Sequence, residues 1–187
     1  IKSNEAINPL LNLLKSHDET NKLLAIEVLS NKNNDEIIEA LSWVASTDNN
    51  FNVKIKAIES LSNIGSKKSI DTLIKLTADK EIREFAIKGL SKQKIQNIFF
   101  IAQGLENKNN TIKTAIIEAL CRMKNNAASE IIYTCLDDED PDIKIIAIQA
   151  LDKIGNRTQE KKIAQLALND PDERVRFVAN EFLKINN

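Results

Sequence analysis

Hydrophobic residues recur along this chain in one helical register, six times over. Centred on a small or apolar anchor, the copies fall at Ala25, Ala57, Ala86, Ile116, Ala147 and Ala179, about thirty residues apart. Four residues beyond each anchor stands a leucine: Leu29, Leu61, Leu90, Leu120, Leu151 and Leu183. In the second copy Val53, Ala57, Leu61 and Ile64 occupy anchor −4, 0, +4 and +7, the spacing of one buried stripe on a helix of 3.6 residues per turn. Self-similarity at a period of this length marks an array of supersecondary units.

Two polar columns frame the stripe. Seven residues before each anchor is Asp or Asn, namely Asp18, Asn50, Asp79, Asn109, Asp140 and Asp172. Such a residue predicts an N-cap, whose side-chain oxygen accepts from an otherwise unpaired N–H of the first turn. Asp140-Pro141 agrees, because proline is best tolerated at the first helical position. In the last copy Pro171 is displaced by one place, so that helix is expected to start early, on Asp170. Gly65 and Gly155 stand where a left-handed residue ends a helix, and Lys124 takes that place in the fourth copy. Three residues before each anchor is a base: Lys22, Lys54, Arg83, Lys113, Lys144 and Arg176. On the helical wheel this position lies near the buried leucine, so each base needs a partner. The expectation is a ladder to an Asp or Asn at the start of the adjacent repeated helix, with Arg83 and Arg176 contributing most through bidentate pairing.

Between the repeated helices, here called B, lie shorter segments of helical period, called A: EAINPLLNLLKS, DEIIEALSWVAS, SIDTLIKLTA, IQNIFFIAQGL, ASEIIYTCL and EKKIAQLAL. The apolar run Ile95–Ile101 would also suit a strand, but its place in the repeat predicts a helix. The fold expected is all-α, a right-handed α-solenoid of six A-B hairpins, with approximate repeats 1–31, 32–65, 66–92, 93–124, 125–155 and 156–187 in one domain. The B helices are expected to line the inner face and the terminal helices to fray first. Ile1 in place of Met suggests a piece of a longer chain.

The residues Asp170 to Ala179, D-P-D-x-x-V-R-x-x-A, and Ala147 to Gly155, A-x-x-A-L-x-x-I-G, resemble HEAT-like repeats of the type named after phycobilisome (PBS) lyases. Ile7-Asn8-Pro9-Leu10-Leu11 is similar to the proline-bearing A helix of HEAT repeats. The resemblance spans essentially the whole chain and implies a solenoid that binds proteins. It also implies an alternative, a lyase-like subunit or chaperone handling a bilin chromophore. The fourth unit departs most, with Ile116 for the anchor alanine and Lys124 for the glycine.

Composition narrows the class. At 187 residues with 42% hydrophobic and 28% charged side chains, the chain can bury a continuous core. A net charge of −1 argues against a nonspecific nucleic-acid binder, and no apolar run reaches the length of a membrane span. Cys121 and Cys135 lack paired metal spacing and read as reduced cytosolic thiols, so the expected location is the cytoplasm. The single histidine, His17, cannot build an iron site of several His-Glu pairs, and in a solenoid it is about three repeats from Cys121, too far for a Cys-His nucleophile. Trp43, beside Leu41 and Val44, reads as core rather than as a base-stacking platform. No catalytic, metal or cofactor residues are assigned.

What remains is a binding surface. Positions −2, +2 and +5 point away from the buried stripe. Leu23, Ile55, Ile145 and Phe177 at −2, with Glu27, Glu59, Glu118, Gln149 and Glu181 at +2, would present apolar anchors rimmed by acid. Such a groove suits a protein or peptide partner, in particular a basic amphipathic segment. The competing expectation is that the four apolar residues tilt onto their own A helices while the glutamates merely favour helix.

Overall fold

The computed structural model describes residues 7–155 and 160–184. Within them every regular element is helical. The helices are α1 (Ile7–Leu13), α2 (Glu19–Leu29), α3 (Asp35–Thr47), α4 (Phe51–Ile64), α5 (Lys67–Leu76), α6 (Arg83–Ser91), α7 (Ile98–Ala102), α8 (Asn110–Met123), α9 (Asn126–Thr134), α10 (Pro141–Ile154), α11 (Glu160–Asn169) and α12 (Glu173–Lys184). Odd numbers are the A helices and even numbers the B helices. The apolar run at Ile95–Ile101 is helical, as its place in the repeat predicts: α7 is flanked by 3-10 turns over Ile95–Asn97 and Gln103–Glu106.

The chain divides into two compact units, Ile1–Ile101 and Ala102–Asn187. In the first, α3 packs on α4, α5 on α6, and the B helices α2, α4 and α6 pack side by side in that order. The second repeats the arrangement, with α8 beside α10, α10 beside α12, and α11 packed on α12. Each core is built from the predicted stripe. Val53, Ala57 and Leu61 are fully buried in α4, and Ala147 and Leu151 in α10. Deleting such a side chain to alanine costs about 2–5 kcal/mol where the cavity cannot collapse.

Five of the six Asx positions cap as expected. Asp18, Asn50, Asn109 and Asp140 accept from the N–H two residues on, in α2, α4, α8 and α10. Asp172 does the same for α12, accepting from the Arg174 N–H at 2.8 Å. The early start on Asp170 is therefore corrected: α12 begins at Glu173, because the Asp170 carboxylate is engaged by Lys144 and by the Asp172 N–H. Asp79 also departs from the pattern. It accepts from the Glu81 N–H at 2.8 Å, a turn that delays α6 to Arg83 and leaves Ile82 at the cap with no side-chain bond.

The C-caps follow the left-handed geometry. Gly65 has φ +58° and Gly155 φ +76°, while Lys124 is held at φ +49° at a β-carbon's steric cost. Lys124→Gly is expected to stabilise the fold by about 1 kcal/mol, and Gly65→Ala to destabilise it, since a Cβ there would lie 2.9 Å from Gln93 Oε1. Thermal melts of the two variants check the pair.

A ladder of basic residues crosses between hairpins, but through a different acid column and without the arginines. Lys22 reaches Asp48 (2.5 Å), Lys54 reaches Glu81 (2.5 Å), Lys113 reaches Asp138 (2.7 Å) and Lys144 reaches Asp170 (2.6 Å), in each case an acid of the next hairpin. Arg83 instead donates from Nε to the Thr77 carbonyl at 2.9 Å, and Arg176 from Nη1 to the Asp170 carbonyl at 2.7 Å. The guanidinium fork reaches carbonyls of its own A-B loop, so the predicted primacy of Arg83 and Arg176 in the ladder does not hold.

Candidate functional site

Three of the four lysine partners, Asp48, Asp138 and Asp170, stand nine residues before their anchors, two before the Asx column. The same position holds Ser16, Thr77 and Asn107 in the other hairpins. Its side chain accepts from the N–H of the Asx residue: Asp18 to Ser16 Oγ (3.1 Å), Asn50 to Asp48 (2.9 Å), Asn109 to Asn107 (2.9 Å), Asp140 to Asp138 (2.9 Å) and Asp172 to Asp170 (3.0 Å). Five of the six A-B loops are thus relays in which one polar side chain sets the next, and the lysine of the preceding hairpin locks three of them. Thr77 breaks the pattern by donating to the Ile74 carbonyl. Burial pushes the Asp138 carboxyl upward, but the Lys113 ammonium, the Asp140 N–H and the Lys144 charge outweigh it and hold its pKa below the usual range. This column was readable in the sequence as a run of Asp, Asn, Ser and Thr two places before the caps.

Rigid loops of this kind fix the B helices, whose free side is a narrow ridge. Glu27, Glu59, Glu118 and Gln149 are exposed on it, whereas Leu23, Ile55 and Ile145 are half-buried. Phe177 stands 65% exposed. Glu181 is half-buried and receives Lys184 at 2.7 Å, and Glu118 receives Arg122 at 2.6 Å. The ridge is completed by position +6, with Asn63, Lys92, Arg122 and Lys153 all exposed. Sequence reasoning placed +5 on this wall, yet Ser62 and Cys121 at +5 are only partly accessible. Packing of B helices side by side covers most of their flanks and leaves the +2 and +6 line open, while α2 keeps Leu24 and Val28 exposed as well.

Between adjacent B helices the ridge is interrupted by grooves with the same construction in both units. In the first unit Ser62 Oγ donates to the Gly89 carbonyl at 2.9 Å, on the floor of a groove of about 230 Å³ bordered by Glu59, Lys88 and Lys92. In the second, Cys121 Sγ donates to the Ala150 carbonyl at 3.6 Å, on the floor of a groove also of about 230 Å³ bordered by Glu118, Gln149 and Lys153. Small residues at +5 of one helix and +3 of the next create the depression. A Cβ at Gly89 would meet the Ser62 Cβ at 3.3 Å, so a larger residue there would spread α4 from α6.

No group of three His, Cys, Asp or Glu residues among the described ones could hold a metal ion. Burial pushes the Cys135 thiol up to about 11 and the Cys121 thiol upward as well, so both are protonated and weakly nucleophilic at neutral pH. Trp43 is 51% exposed, a correction of its assignment to the core. Helix α3 buries Ile37, Ile38, Leu41, Val44 and Ala45, and Trp43 falls outside that stripe. No described helix is long and apolar enough to cross a membrane.

Hairpins of two helices, stacked in register with polar relays in the A-B loops, define an α-solenoid repeat protein. The family model for HEAT repeats matches residues 7–91 and 98–184, and the chain belongs to that family. No curated protein matches. Among solved structures, the Drosophila melanogaster Mini spindles TOG3 is 15% identical, with 95% of this chain and 92% of that one covered and a TM-score of 0.63. A chain from work on microtubule plus-end tracking by XMAP215, CLIP-170 and EB1 is 17% identical, with 94% and 89% covered and a TM-score of 0.60. At these identities the likeness is one of fold.

Proposed function

We infer that the protein is a noncatalytic interaction scaffold that binds a protein or peptide segment along the exposed ridge of its B helices. The observation that carries this reading is the construction of the ridge itself: Glu27, Glu59, Glu118 and Gln149 are exposed on it, and each unit has a small-floored groove between two of its B helices. Within each unit such an array offers an extended ligand one contact per hairpin. The acidic row favours a basic amphipathic segment, with Phe177 as an apolar contact and Leu23, Ile55 and Ile145 contributing their half-exposed edges.

The test is calorimetric titration of a basic amphipathic peptide into the wild-type chain and into Glu27→Lys/Glu59→Lys. The charge reversals are expected to weaken binding about tenfold at low salt, the combined effect of two exposed charge contacts. Circular dichroism checks that the fold is retained. Unchanged affinity in the variant overturns the assignment of the ridge as the binding face.

A further inference from the structure

The acidic row changes sign at one place. Position +2 reads Glu27, Glu59, Lys88, Glu118, Gln149 and Glu181, and in the third hairpin position +6 is also basic, Lys92. Lys88 and Lys92 sit one turn apart on α6, both exposed, and both border the groove between α4 and α6. Lys94 follows in the loop after α6 and, with Lys92, lines the adjoining depression of about 380 Å³, where Asn63 and Gln96 add amide groups. Lys88, Lys92 and Lys94 are all exposed. Like charges four apart on one face weaken a helix, and the acid nearest on this face, Glu84, stands one turn before Lys88 and two turns before Lys92. In the fourth hairpin the base at +6, Arg122, is set against Glu118 at 2.6 Å.

The floor beneath these lysines is stiff. The Gln93 side chain, 8% exposed, donates from Nε2 to the carbonyls of Ser62 (2.9 Å) and Gly89 (3.0 Å), and Asn97 donates to the Gly65 carbonyl at 2.9 Å. The amides tie the end of α4 to the end of α6 and hold Lys92 and Lys94 at the rim. Glu59 is the one acid lining the groove.

We propose that the groove between α4 and α6, with the depression adjoining it, is an acidic-residue subsite, in which Lys88, Lys92 and Lys94 receive neighbouring Asp or Glu side chains of a partner protein segment. The inference rests on the reading of the B-helix ridge as the binding face and adds to it the polarity of the ligand: basic where it passes Glu27 and Glu59, acidic where it reaches α6. A nucleic-acid backbone, anionic along its whole length, would be opposed by those two glutamates, whereas a protein segment can place its acids locally.

The experiment is fluorescence anisotropy with a labelled (Asp-Glu)4 peptide at low salt, using wild type, Lys88→Glu/Lys92→Glu, and the charge-matched control Lys75→Glu/Lys80→Glu, whose positions are exposed and border neither depression. Wild type is expected to bind, the groove variant to lose at least tenfold in affinity, and the control to lose less than threefold, all with affinity falling as salt is raised. Equal losses in both variants, or no binding by wild type, overturn the subsite. The two readings separate cleanly: if the basic peptide binds through Glu27 and Glu59 while the acidic one does not bind, only the subsite fails. If the acidic peptide binds at Lys88 and Lys92 while the basic one ignores the glutamate reversals, the acidic ridge fails and the subsite stands.

Discussion

Asp170→Ala is expected to destabilise the fold by about 3 kcal/mol, because the Lys144 ammonium would be left largely buried without its counter-charge. The Asp170 side chain is 2% exposed and that of Lys144 12%, with 2.6 Å between them. The same carboxylate also accepts the Asp172 N–H, so its removal loosens the cap of α12. Asp137→Ala is the control. Asp137 binds Lys162 at 2.5 Å, but its side chain is 66% exposed, and an exposed pair contributes only about 0–1 kcal/mol. Denaturant unfolding of both variants measures the contrast. If they lose the same amount, burial is not what gives the ladder its strength.

Ile145→Ser and Phe177→Ser should separate just as clearly, although both residues stand at −2 of a B helix. Ile145 is half-buried, and its loss is expected to cost about 1–3 kcal/mol. Phe177 is 65% exposed, and its substitution should change stability by less than about 0.5 kcal/mol while weakening capture of a partner. Thermal unfolding gives the first quantity and binding the second. A large loss of stability at Phe177 would remove it from the proposed binding face. The equivalence of the two positions in the sequence, and their difference in the structure, shows how far a repeat column can be trusted: it fixes the angle around a helix and leaves open what packs on that side.

The sequence by itself determined the six-fold repetition, the helical class and most caps. These are local: the stripe Val53, Ala57, Leu61 follows from 3.6 residues per turn, and Asp18, Asn50, Asn109, Asp140 and Asp172 cap through the N–H groups of their own first turns. The basic column demanded partners for the same reason, since its angle on the wheel lies beside the buried leucine. Which partners answered was decided in three dimensions. Lys144 finds Asp170 across 26 residues because side-by-side packing of α10 and α12 brings one hairpin's loop over the preceding hairpin's helix, while Arg176 turns back to its own loop carbonyls. Burial was decided there too. Trp43 lies outside the buried stripe of α3, and Leu23, Ile55 and Ile145 are half-covered, because exposure depends on what adjacent helices take from each flank. The groove between α4 and α6 belongs to the same level: Ser62, Gly89, Lys88 and Lys92 are unremarkable letters in separate repeats until the packing of two helices places them around one depression.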